Sequence, residues 1–106
     1  MRRVLTLCLA LAALPARAED CIVMLHGLAR TEASFALMAE AFRLRGYTVV
    51  VPGYPSTRFR VQTLAEETLP AAVAACGPRR VHFVTHSMGG ILLRVWLPGN
   101  RPDRLG

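Results

Sequence analysis

At 106 residues the chain has room for one small domain and no more. Just over half of it is apolar (53%) and only 7% is aromatic, which suits a core of valine, leucine and alanine and excludes a disordered chain. The formal charge of +6 rests on arginine alone, scattered along the chain with no aromatic platform and no nucleic-acid motif, so a nucleic-acid partner is excluded and a solvated surface is expected.

The first segment, MRRVLTLCLALAALPARA (residues 1–18), is expected to be a signal peptide. Two arginines precede an apolar stretch from Val4 to Leu14, and Ala16-Arg17-Ala18 offers the small-x-small pattern of a cleavage site. The apolar stretch is too short to cross a bilayer as a helix, so no transmembrane segment is expected once it is removed. Export to the periplasm or the extracellular space follows. Without this segment ten arginines face seven acids, a balance of +3.

Residues 19–106 alternate between strand and helix patterns. CIVMLH (21–26) is a short apolar run without polar alternation until His26, as in a parallel strand covered on both faces. EASFALMAEAFRLRG (32–46) follows as a helix, with Phe35, Met38 and Phe42 at helical spacing as core residues without a ligand role, and Gly46 as its stop. YTVVVP (47–52) is a second strand, and GYPSTRFR (53–60) is loop.

Thr63 and Glu66 have the spacing of a capping box, so a helix from Leu64 to Cys76 is predicted, kinked at Pro70; a shorter helix capped by Thr68 is the alternative. VHFVTH (81–86) is the third strand, and GGILLRVWL (89–97) is a helix that stops at Pro98. The order β-α-β-α-β-α implies right-handed crossovers and a parallel sheet, hence an α/β domain.

Two cysteines remain after residue 18, Cys21 at the head of the first strand and Cys76 shortly before the third. If those strands are neighbours, both lie near one end of the sheet, where a bridge is feasible and would contribute about 3 to 4 kcal/mol in the chain-entropy model. A pair of buried free thiols fits the same sequence.

The most informative stretch is THSMGG (85–90), set between the third strand and its helix. A serine at such a corner is forced into a sparsely allowed backbone conformation that presents its hydroxyl at the carboxyl end of the sheet. Gly89 omits a side chain that would strike the strand, and Met88 opens the helix with a free N–H able to face an oxyanion. A second donor is expected from HGLAR (26–30) at the end of the first strand, where Gly27 permits a sharp turn and frees the Leu28 N–H.

MLHGLAR followed about sixty residues later by VHFVTHSMGGILLR resembles the α/β-hydrolase fold family, and within it the bacterial exported esterases and lipases of the triacylglycerol-lipase-like group. The resemblance covers nearly all of residues 21–106. It implies a three-layer α/β/α sandwich with a parallel sheet, residues 19–106 forming the N-terminal part of such a domain. The family's G-x-S-x-G motif reads here Thr85-His86-Ser87-Met88-Gly89, with threonine in place of the first glycine.

By that resemblance Ser87 is the nucleophile, the Leu28 and Met88 amides are oxyanion donors, and His26 and Gly27 form the loop that meets the substrate. The activity implied is hydrolysis of lipid or short-chain carboxylic esters through an acyl-enzyme, with no metal or organic cofactor. A thioesterase, amidase or acyltransferase would use the same corner, and a non-catalytic fragment of the fold would keep the corner without the chemistry.

In that family the triad acid and then the histidine follow the serine. Here no histidine follows Ser87, and the one acid that does, Asp103, resembles the approach to the next strand rather than the acid loop. His86 adjoins Ser87 but is expected on the opposite side of the chain; His26 and His82 read as structural. The 106 residues are therefore expected to end before the triad is complete, to leave the third strand with an open edge, and to be inactive alone.

Overall fold

The computed structural model describes residues 19–106. The expected signal segment, residues 1–18, lies outside the described residues.

The first strand, β1 (Asp20–Leu25), is the middle of a three-stranded parallel sheet of order β2-β1-β3, flanked by β2 (Thr48–Val50) and β3 (Arg80–Thr85). Its lack of polar alternation has a direct cause: both faces are covered. Cys21, Val23 and Leu25 point into one apolar layer, Ile22 and Met24 into another, and all five are 4% exposed or less.

On the Ile22 side lies α1 (Ala36–Leu44), entered through a 3-10 turn at Glu32–Phe35, with Phe35 and Ala39 packed on Met24 and Val49. On the other side lie α2 (Val61–Ala75) and α3 (Met88–Trp96), which supply Leu64, Leu69, Ala72, Leu92 and Trp96. Helices on both faces of a parallel sheet make three layers, the α/β/α sandwich. Cys21 and Cys76 are disulfide-bonded inside the larger layer, with Cα atoms 5.6 Å apart, tying the start of β1 to the end of α2.

Three local expectations are corrected. α2 begins at Val61, so Thr63 sits inside its first turn and no side chain caps the helix. Its register follows the apolar face: Leu64, Ala65, Thr68, Leu69 and Ala72 are buried, and Arg60 accepts the Leu64 N–H at 3.0 Å. Burial of that face outweighs a cap worth about 1 kcal/mol. Thr68 therefore lies mid-helix rather than at a start, and Pro70, on the exposed side, falls within the helix.

Met38 is not core; it is 45% exposed. The buried stripe runs Phe35, Ala39, Phe42, an i, i+4, i+7 row, and Met38 lies to one side of it. The second strand is shorter than its apolar run, ending at Val50.

The outer side of β3 is partly met by the end of the chain. Leu105 bridges Val81 in parallel, with Val81 N–H donating to Arg104 at 2.8 Å and Gly106 N–H donating to Val81 at 2.7 Å. The same side at Phe83 and Thr85 has no strand partner among the described residues.

Candidate active site

Register brings the two motifs together. Leu25 pairs with Thr85, so β1 and β3 end level and the loops 26–30 and 86–88 leave the sheet side by side. The His86 N–H extends the ladder by one bond, to the Leu25 carbonyl at 3.1 Å. The chain then reverses: the His86 carbonyl accepts the Gly89 N–H at 3.0 Å, closing a four-residue turn with Ser87 second.

Ser87 has φ 53° and ψ −116°, the second position of a type II′ turn, where glycine is the usual occupant. A side chain there costs about 1–3 kcal/mol. Ser87 is exposed, and its hydroxyl makes no hydrogen bond among the described residues. The strain follows from how tightly α3 meets the end of β1. A Cβ on Gly89 would overlap the Leu25 carbonyl oxygen and sit 2.8 Å from its carbon and 2.9 Å from the Leu25 Cβ.

Threonine at the position of the motif's first glycine is accommodated on the neighbouring turn. A Cβ on Gly90 would stand 3.2 Å from Thr85 Oγ1, so the glycine leaves that hydroxyl its space.

The first loop is pressed against this corner. A Cβ on Gly27 would lie 2.8 Å from His86 Nδ1 and 3.4 Å from Ser87 Cβ. Its own turn closes through the Arg30 N–H to the Gly27 carbonyl at 3.1 Å, with Ala29 at φ 58°. Ala29 and Ser87 are the two non-glycine residues with positive φ among the described residues, so the backbone strain of the fold is concentrated in these two loops. Neither the Leu28 N–H nor the Met88 N–H, the first of α3, donates to a protein acceptor among the described residues.

His26, read as structural and as part of the loop that meets the substrate, is held inside that loop. Its side chain is buried, 1% exposed, and stacks on Tyr54 with ring centroids 4.0 Å apart. Nδ1 lies 2.9 Å from the Gly27 carbonyl; since a carbonyl only accepts, Nδ1 carries the proton. Its Nε2 is buried without a hydrogen-bond partner among the described residues. The Tyr54 hydroxyl donates to the His26 carbonyl, and Ser56 Oγ accepts the Ala29 N–H at 2.9 Å. Burial raises the Tyr54 phenol above its ordinary pKa. Neither Tyr54 nor Ser56 was distinguishable in the sequence from the rest of a loop.

An open cavity of about 400 Å³ adjoins the corner, lined by Gly27, Arg30, Ser34, Phe35, Met38 and His86, with His26 beneath. Met38, expected in the core, thus supplies apolar wall. The remaining ionisable candidates sit elsewhere: His82 Nε2 is 3.0 Å from Asp20 Oδ1, and Asp103 lines a polar cleft of about 480 Å³ with Glu19, Asp20, Arg80 and Arg104. That cleft is at the amino end of the strands, opposite Ser87.

A profile of the alpha/beta hydrolase family matches residues 22–99, which include both loops and all three strands but the first residues of β1. No curated protein and no solved structure matches the chain significantly.

Proposed function

The chain belongs to the alpha/beta hydrolase family, and from that premise we propose that the native gene product is a serine esterase acting on lipid or short-chain carboxylic esters. The observation that carries the proposal is the backbone of Ser87: a serine held at φ 53° with its hydroxyl exposed and without a hydrogen bond among the described residues, at the carboxyl end of a parallel sheet. Strain of that size has no use in packing, since glycine would make the same turn without it.

In this mechanism Ser87 Oγ attacks the ester carbonyl as its proton passes to a general base. The tetrahedral oxyanion is held by the Met88 N–H at the positive end of α3 and by the Leu28 N–H across the corner. Collapse releases the alcohol, which takes that proton back from the base, and leaves the acyl group on Ser87; water then gives a proton to the base as it attacks the acyl carbonyl, and Ser87 regains the proton as the acid is freed. Phe35 and Met38 give the neighbouring cavity an apolar wall for the acyl or alcohol part. His26, His82 and Asp103 are not the triad partners: the first is buried on its loop and the others lie at the far end of the sheet.

We place the protein outside the cytoplasm. The leader-like residues 1–18 support export, and the Cys21–Cys76 bond suits an oxidising compartment. No described helix is long and apolar enough to cross a membrane.

Hydrolysis of nitrophenyl esters of graded acyl length by the native gene product tests the assignment. Ser87→Ala is expected to lower kcat by at least about 10⁴-fold for every ester cleaved. Equal rates for the two proteins would overturn it, and turnover of thioesters or amides alone would move the activity to another acyl-transfer class.

A further inference from the structure

The segment after β2 comes back to the candidate site from 27 to 28 residues away. Within it Tyr54 and Ser56 are each 7% exposed, whereas Gly53, Pro55 and residues 57–60 lie exposed. A buried serine in an exposed loop implies a partner for its hydroxyl, and Ser56 has one: the Ala29 N–H, 2.9 Å away. Tyr54 lays its ring on His26 and donates its hydroxyl to the His26 carbonyl.

We infer that Tyr54 and Ser56 are positioning residues which fix the direction of the Leu28 amide; this rests on the esterase assignment above. Peptide units are planar, so a carbonyl and the following N–H move as one body. The Gly27 carbonyl shares its plane with the Leu28 N–H and is held by the Arg30 N–H. The next plane carries the Ala29 N–H, held by Ser56, and the plane before Gly27 carries the His26 carbonyl, held by Tyr54.

Three consecutive planes are thus anchored, and the middle one points the Leu28 N–H, which has no protein acceptor among the described residues. Ala29 at φ 58° adds the reason an anchor is needed, because an alanine there relaxes toward negative φ unless its neighbours hold it. An oxyanion donor must be aimed before the charge forms, and a displacement of about 1 Å can cost roughly a hundredfold in rate.

The test compares wild type with Ser56→Ala, Ser56→Thr and Tyr54→Phe, the last keeping the stacked ring and losing only the hydroxyl. Three readouts are taken on the native gene product: amide exchange at Ala29, kcat and KM for an ester, and thermal unfolding. The expected result is rapid Ala29 exchange and a kcat about 10- to 100-fold lower in Ser56→Ala, with KM within about twofold, and recovery of both in Ser56→Thr. Tyr54→Phe lowers kcat in the same sense.

An active enzyme whose Ser56→Ala and Tyr54→Phe variants keep wild-type kcat overturns the inference and leaves the esterase assignment standing. Loss of activity that tracks unfolding temperature and is not recovered by threonine also overturns it. Wild type and Ser87→Ala alike without ester hydrolysis overturn the assignment itself, and the catalytic role of the anchors with it.

Discussion

Replacing Ser87 by glycine and, separately, by alanine isolates the backbone strain at the corner, because neither variant has the hydroxyl. Alanine keeps a Cβ at φ 53°, ψ −116°, so the strain stays. The lost hydroxyl is exposed and makes no hydrogen bond among the described residues, so Ser87→Ala should fall within about 0.5 kcal/mol of wild type.

Glycine relieves about 1–3 kcal/mol of strain and gives back about 0.4–1 kcal/mol through the freer unfolded chain. Ser87→Gly should therefore be more stable than Ser87→Ala by about 1 kcal/mol, which for a domain of this size raises Tm by roughly 4–8 °C. Urea unfolding with matched m-values measures the difference. A glycine variant less stable than the alanine variant would show that the corner is unstrained, and would remove the physical reason for assigning Ser87 a function.

Gly89→Ala places a methyl group against the Leu25 carbonyl and should destabilise the fold by at least about 1–3 kcal/mol, seen as a lower urea midpoint; an unchanged midpoint would mean α3 does not close on β1 as described. Replacing Cys21 and Cys76 together by alanine opens a loop with a sequence separation of 55, a loss of about 4 kcal/mol in the chain-entropy model. That is much of the stability of a small domain, so the variant should unfold well below the parent's midpoint, and a coincident midpoint would refute it.

The buried Tyr54 phenol titrates above 10.0 in the folded state, so folding gains from its protonated form below pH 10 and loses that contribution as pH rises through its folded value. Stability should fall in that alkaline window, and Tyr54→Phe should flatten the slope.

Much of the fold was legible because its signals are local. An uninterrupted apolar run marked β1 as a strand covered on both faces, and THSMGG marked the corner through two glycines at fixed distances from Ser87. What escaped had its cause elsewhere in the chain. The capping-box spacing at Thr63 is a local signal, and it lost to burial of Leu64 and Leu69 against a sheet the spacing does not register.

Met38 kept helical spacing with Phe35, but Ala39 has it too, and the sheet took the Phe35–Ala39–Phe42 row. His26 read as structural without a partner to name; its burial depends on Tyr54, 28 residues on. Tyr54 and Ser56 carried no pattern at all, because their partners are backbone groups and a backbone group leaves no mark in a sequence. The general base has no local pattern to name it either: His26 is buried against Tyr54 and His82 pairs with Asp20, while His86 lines the cavity beside the corner.

The central claim, that Ser87 is the nucleophile, is tested most directly by treating the native gene product with a fluorophosphonate and mapping the adduct by mass spectrometry. A single adduct on the peptide spanning residues 81–94, absent from Ser87→Ala, is the predicted result. An adduct on another residue, or none at all on a protein that hydrolyses esters, would contradict it.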